Sequence, residues 1–256
     1  MTSPILVTGG TGTLGSIVVP LLRASGAPVR VLTRHPGGRG GADGVEYAAG
    51  DLVADTGIEQ AVQGAATVLH LAGGPKGDEE ATRNLMRAAG RAGVGHVVHI
   101  SVIGADRVPL AWFRSQEGAE QAVAGSGLPW TILRAAQFHD LTLAAVRKMA
   151  ALPVVPVPGG LRFQPVDARE VGERLVELAQ AEPAGRVPDL AGPRVYGMDE
   201  LVRGYLSARG TRRPLMPVRL PGKAGRAYRA GENLALGAGT TTGKRTWEEF
   251  LAERVR

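Results

Sequence analysis

The chain has 256 residues, of which 44% are hydrophobic and 21% charged, a globular balance that excludes a disordered polyelectrolyte. It contains no cysteine, which excludes disulfides, thiolate catalysis and cysteine-ligated zinc or iron–sulfur centres. Its formal charge of +6 admits nucleic acid, anionic lipid or a phosphorylated small molecule as partner.

In chain order, Ile5-Leu6-Val7 is an apolar strand run, and 13–25 reads as a helix stopped by Gly26. Strands are predicted at 28–33, 45–48 and 67–71, with a short helix at 58–62 between the last two. A helix over 79–92 ends at Gly93, and a strand at 97–101, a helix at 111–124 and a strand at 130–133 follow. Strands that are continuously apolar belong to a parallel sheet buried on both faces. Their alternation with helices predicts an α/β fold, a Rossmann-type doubly wound sheet. After 137 the rhythm changes. A helix at 137–150 leads into the proline-spaced stretch 152–160, which does not suit a central strand. Helices at 168–180 and 198–208, a strand at 186–191 and a last helix from about Thr246 complete the reading. The predicted division is a core over 1–150 and a smaller α/β C-terminal substrate lobe over 151–256 that partly returns to it.

The loop Thr8-Gly9-Gly10-Thr11-Gly12-Thr13-Leu14-Gly15 sits between the first strand and the first helix. Gly9 suits the tight turn, Gly12 admits a pyrophosphate to the backbone, and Gly15 lets the helix pack closely. The helix start adds unsatisfied N–H groups and a positive dipole end. The position and spacing predict a dinucleotide site that includes the backbone of Thr11, Thr13 and Leu14. At the end of the second strand an NAD site carries an acid for the ribose 2′-hydroxyl. This chain has Thr33-Arg34-His35 there, with Arg39 nearby. Arg34 suits a 2′-phosphate, so NADP(H) is expected in preference to NAD(H).

Those segments, with Gly50-Asp51-Leu52, Val68-Leu69-His70-Leu71-Ala72, Leu128-Pro129-Trp130-Thr131-Ile132-Leu133-Arg134, Gln164-Pro165-Val166-Asp167 and Thr246-Trp247-Glu248-Glu249-Phe250-Leu251, resemble the NmrA-like branch of the atypical short-chain dehydrogenase/reductases. The resemblance implies NAD(P)(H) binding, Asp51 and Leu52 beside the adenine, Ala72 and Gly73 along the cofactor ribose, and a substrate cleft between core and C-terminal lobe. It also implies a serine at the end of the fifth strand, which Ser101 matches, and a Tyr-x-x-x-Lys pair on the next helix. Those two positions fall on Trp112 and Gln116, and neither side chain performs the acid–base role. Two readings follow: hydride transfer to a small, electron-poor, carbonyl- or quinone-type acceptor, or a non-catalytic NADP(H)-sensing protein with a regulatory protein partner.

Gln137, Phe138 and His139 follow the sixth strand at the edge where parallel sheets hold ligands. His139 is read either as a proton donor there or as a packed side chain. Trp112 and Phe113 are read either as an apolar substrate wall or as core. Asp167 reads as an N-cap. His96 and His99, three apart on a strand, point to opposite faces and do not make a metal pair. Lys76 reads as solvated. Only four of the thirty basic residues are Lys, and an Arg- and Gly-rich composition is also what a GC-rich genome produces. Seven basic residues and no acid fall in 209–229, expected to be an irregular solvated face and not a nucleic-acid grip. No apolar stretch reaches the ~20 residues of a membrane span, and residues 1–4 carry no basic leader, so a cytoplasmic protein is expected.

Overall fold

The computed structural model describes residues 3–35, 44–74, 77–235, 237 and 239–255. Arg39 and Lys76 lie outside the described residues. The chain runs through β1 (Ile5–Thr8), α1 (Gly15–Ala24), β2 (Val29–Thr33), β3 (Val45–Ala49), α2 (Ile58–Val62), β4 (Thr67–His70), α3 (Asp78–Ala92), β5 (His96–Val102), α4 (Ala111–Ala124) and β6 (Trp130–Ala135). It continues through α5 (His139–Met149), β7 (Val155–Pro158), β8 (Arg162–Phe163), α6 (Ala168–Gln180), β9 (Gly185–Arg186), β10 (Leu190–Ala191), β11 (Tyr196–Gly197), α7 (Met198–Ala208), β12 (Leu215–Val218), α8 (Gly222–Ala230), β13 (Thr241–Thr242) and α9 (Trp247–Arg254).

Two compact units result: Met1–Ser101 with Arg114–Leu133 and Val171–Val187, and Val102–Phe113 with Arg134–Glu170 and Pro188–Arg256. The units interleave along the chain and do not divide at 150. Residues 102–113 and 134–150 fall in the second unit, and 171–187 return to the first. The returning segment is most of α6, where a Cβ on Gly172 would meet Ile17 of α1 at 2.8 Å, so the two helices approach closely only because that position is glycine.

In the first unit the strand order is β3-β2-β1-β4-β5-β6, with β9 also on β6. The β2–β3, β1–β2, β1–β4, β4–β5 and β6–β9 pairs are parallel. The chain moves outward from β1 to β3 and then returns to place β4 on the other side of β1. That reversal is the point at which open α/β sheets hold ligands, beyond the carboxyl ends of the strands. Burial on both faces explains the apolar central strands: all four residues of β1 are buried, whereas the edge strand β3 buries only Val45. One face carries α1 and the returning α6. The other carries α2 and α3, whose Ile58, Val62, Leu85 and Ala89 form one core with Val68, Val97, Val123 and Ile132. This is the α/β, Rossmann-like, doubly wound arrangement expected. Fully burying a side chain such as Leu85 contributes about 1.5–3 kcal/mol.

In the second unit, Ala135 at the end of β6 pairs with Leu190, and β10 pairs in parallel with β13. Its core gathers Leu143 and Val146 of α5, Val155 and Val157 of β7, Leu201, Val202 and Tyr205 of α7, and Trp247, Phe250 and Leu251 of α9. The α9 start has a reciprocal cap, with Thr246 accepting from the Glu249 N–H and Glu249 accepting from the Thr246 N–H. The proline-spaced stretch does form a strand, but in a separate two-stranded parallel sheet, β7 with β12. The predicted strand at 186–191 is broken into β9 and β10 around Val187-Pro188-Asp189.

The expectation of an irregular 209–229 segment is corrected: it contains β12 and α8. The helix buries Gly225 and Ala227. Gly225 is required, since a Cβ there would come within 2.1 Å of the Leu220 carbonyl. Arg212, Arg219, Lys223 and Arg226 remain exposed. Among the described residues, no helix is long and apolar enough to cross a membrane.

Candidate functional site

Three glycines shape the loop between β1 and α1, each by a different constraint. Gly9 has φ +71°, and a Cβ on it would also lie 2.7 Å from the Ala72 nitrogen. A Cβ on Gly15 would meet the Gly9 oxygen at 2.3 Å and the Gly10 backbone at 2.4 Å, so this glycine lets the helix close on the loop itself. Gly12 meets only the Gly9 oxygen, at 3.3 Å. Its outer side is open, and Thr11, Gly12 and Thr13 are exposed while Leu14 is buried. No side chain caps α1 at Leu14; the Ser16 N–H donates to the Gly12 carbonyl at 2.9 Å and the Ile17 N–H to the Leu14 carbonyl at 3.0 Å. The loop is tight inward and open outward, as an anion cradle requires.

At the end of β2, Arg34 is exposed and close enough to Asp51 to help hold its carboxyl below the usual range. The larger cause is local. Asp51 Oδ1 accepts the Val53 and Ala54 N–H groups at 2.8 and 3.1 Å, fixing the turn after β3. Leu52 is core, and its carbonyl accepts from the Asn84 side chain at 2.9 Å. Arg34, Asp51 and Leu52 therefore belong to one corner of the first unit.

The strip after β4 lies against the glycine loop. Leu71 N–H donates to the Thr8 carbonyl at 3.1 Å, and Ala72 N–H to Thr8 Oγ1 at 3.3 Å. Gly73 is exposed, and Gly74 N–H donates to Asp78 Oδ1 at 2.7 Å. Beneath the strip, His70 is sandwiched between Thr8 Oγ1 at 2.7 Å and Thr82 Oγ1 at 2.9 Å. It stacks on His99 with ring centroids 5.0 Å apart. Burial keeps both rings neutral, pushing His99 down to about 4 and His70 well below its ordinary value. His96 instead meets Thr131 Oγ1 at 2.9 Å, so the two strand histidines do not converge. Among the described residues no group of three metal-ligating side chains is present.

Ser101 on β5 is 6% exposed, and its hydroxyl has no hydrogen-bond partner among the described residues. Gln116 on α4 is also buried, and its amide donates to Asp78 Oδ2 at 2.5 Å. In the second unit, Trp112 is 36% exposed, whereas Phe113 is core, packed with Val102, Ala105, Val108 and Tyr228. The paired reading of these two aromatics therefore splits. Gln137 and Phe138 are half-buried. The proton-donor reading of His139 does not fit its placement. Its ring is fully buried between Trp247 and Phe250, and burial pushes it down to about 4. Asp167 is buried and accepts the Arg169 N–H at 2.8 Å, and it pairs with the Arg169 and Arg245 guanidiniums. The sequence reading did not single out Asp78 and Thr82. Thr8 and His70 lay inside quoted motifs, but pattern alone did not reveal their contact.

A family model described as NAD(P)H-binding matches residues 9–154, more than half of the chain. The chain is 34% identical over 197 residues to the (4-alkanoyl-5-oxo-2,5-dihydrofuran-3-yl)methyl phosphate reductase of Streptomyces griseus, covering 74% of this chain and 68% of that one. It is 30% identical over 213 residues to the NAD(P)H azoreductase of Xenophilus azovorans, covering 80% and 74%. Its fold is similar to an NADPH-dependent quinone oxidoreductase of Escherichia coli in complex with NADPH, with a TM-score of 0.85 and 20% identity, covering 98% and 100%. The glycine cradle, the Rossmann-like sheet that carries it and these matches agree: the chain belongs to the NAD(P)H-binding family.

Proposed function

We propose that the protein is an NADPH-dependent reductase acting by hydride transfer on a small, electron-poor, aromatic carbonyl- or quinone-type compound. The observation that carries this reading is the cradle itself: Gly9 and Gly15 are sterically required, while Gly12 leaves the loop's outer side open at the start of α1. In this reading the backbone of Gly9, Thr11, Gly12, Thr13, Leu14 and Gly15 holds the pyrophosphate. Arg34 takes the 2′-phosphate, which is the basis for NADPH over NADH. Asp51 and Leu52 border the adenine, and Ala72 and Gly73 border the ribose. Trp112, Gln137 and Phe138 are the proposed acceptor contacts.

When bound, the reduced nicotinamide supplies the hydride, and the protein's part is placement and exclusion of water. Ser101, buried with an uncommitted hydroxyl, is the proposed hydrogen-bond donor to the acceptor oxygen. An acceptor already poor in electrons needs little further protonation, which suits a site with Trp112 and Gln116 at the acid–base positions. The relatives named as azo and quinone reductases support this substrate class.

The commitment of Gln116 to Asp78 also favours a second reading, a non-catalytic NADP(H) sensor that recruits a protein partner. One assay separates the two. Loss of NADPH absorbance with any member of a panel of quinones, azo dyes and aromatic aldehydes is the expected result. Tight NADPH binding with no turnover across the panel would replace the enzyme reading with the sensor.

A further inference from the structure

We infer that Asp78 and Gln116 are a positioning pair that fixes the Ala72–Gly74 strip for the dinucleotide. The inference rests on the proposed reading of the site. Asp78 opens α3 and is only 7% exposed, an expensive place for a carboxylate unless its oxygens are engaged. Both are. Oδ1 accepts the Gly74 N–H at 2.7 Å, and Oδ2 accepts the Gln116 amide at 2.5 Å. Burial raises the Asp78 carboxyl, against which both donors act.

The other end of the strip is tied to the same residue by a chain whose polarity is determined at every link. Thr82 Oγ1 donates to the Asp78 carbonyl at 2.6 Å, so it accepts from His70 Nε2–H. His70 is neutral, so its Nδ1 accepts from the Thr8 hydroxyl, and Thr8 Oγ1 in turn accepts the Ala72 N–H at 3.3 Å. Asp78 thus anchors Gly74 through its side chain and Ala72 through its main chain. Gln116 is the brace. It spends its amide on holding Asp78 in register.

The pair makes a prediction that neither a purely structural nor a purely electrostatic role shares. Removing a negative charge near an anionic ligand would, on its own, tighten binding. Removing a positioning acceptor weakens it. Three measurements on the full chain test this: NADPH affinity by fluorescence titration, hydrogen exchange of the Gly74 amide without cofactor, and Tm. Asp78→Ala is expected to raise the NADPH Kd about tenfold, the scale of one buried hydrogen bond, and to speed Gly74 exchange. Asp78→Asn is expected to restore both, because Asn Oδ1 accepts from Gly74 and its amide donates to a flipped Gln116. Equal affinity for all three proteins, or tighter binding by both variants, overturns the inference. Should Asp78→Ala fail to fold, Gln116→Met carries the test: about a threefold rise in Kd is expected, and an unchanged Kd overturns it. A wild-type chain that binds no NADPH overturns the functional reading and this inference with it. Wild-type binding with unaltered variants overturns the pair alone.

Discussion

His139 and Phe250 are packed ring against ring, with centroids 5.0 Å apart, in the core that α9 closes within the second unit. The contact makes the histidine a wedge of the core. Burial pushes it down to about 4, against the carboxylate of Asp167 and the Pro165 backbone, which act the other way. The consequence is a linkage between pH and stability. An unfolded histidine titrates near ~6.5. Between that value and about 4, the unfolded chain binds a proton that the folded ring refuses. Stability is therefore full above the unfolded value and declines as pH falls through this window. One such ring accounts for at most about 3 kcal/mol, and His70 and His99 act in the same direction. His139→Leu is expected to flatten the decline between pH 7 and pH 5 by up to one proton's slope, read from urea midpoints. An identical slope in the variant would show that the ring does not titrate in this way.

In the proposed reading, cofactor choice turns on Arg34. The side chain is exposed at the end of β2, and the nearby carboxylate, Asp51, is held in a turn by Val53 and Ala54. Arg34→Ala is expected to weaken NADPH by roughly 10- to 100-fold, the range of a lost charge-assisted hydrogen-bond set, with far less effect on NADH. Equal losses for the two cofactors would assign this arginine to general attraction and remove the basis for NADPH preference.

The glycine loop separates folding from binding. Gly15→Ala places a methyl 2.3 Å from the Gly9 oxygen, backbone against which nothing nearby is free to yield. Gly12→Ala meets only an oxygen at 3.3 Å. The first variant is expected to lose stability, by about 1–3 kcal/mol on the scale of overpacking. The second is expected to keep its Tm within a few degrees and to lose dinucleotide affinity by tenfold or more, since its methyl enters the ligand's side of the loop. Calorimetry and NADPH titration on the two proteins check this. Reversed outcomes would put the pyrophosphate elsewhere.

The order of strands and helices through residue 135 was legible because the central strands β1, β4, β5 and β6 are buried on both faces and the helices between them carry an apolar stripe. The phosphate loop was legible for a related reason: Gly9 and Gly15 are fixed by sterics, which leaves a residue-type signature. What was not legible depended on contacts across the sheet. That Asp78 serves two segments, or that His70 bridges Thr8 and Thr82, follows from the Thr8–His70 register of β1 with β4, which spacing along the chain does not reveal. Position after a strand leaves His139 open between a ligand-facing and a packed side chain, and its burial is set by Trp247 and Phe250, more than a hundred residues away. The helix α8 was missed because Gly225 breaks the usual preference, and its value lies in approach to the Leu220 carbonyl.

Ser101 offers the sharpest test of chemistry. A buried hydroxyl without a partner costs free energy, so deleting it is expected to leave stability unchanged or raise it. If instead that hydroxyl donates to the acceptor oxygen during hydride transfer, its removal strips an interaction used in the transition state. Ser101→Ala should then lower kcat/KM by about 10- to 100-fold, mostly in kcat, while NADPH affinity and Tm hold or improve. The loss should also shrink as the acceptor becomes more electron-poor, because such an acceptor relies less on a hydrogen bond. Stability and activity falling together would mark the serine as structural, and an unchanged kcat across the acceptor panel would remove it from the reaction.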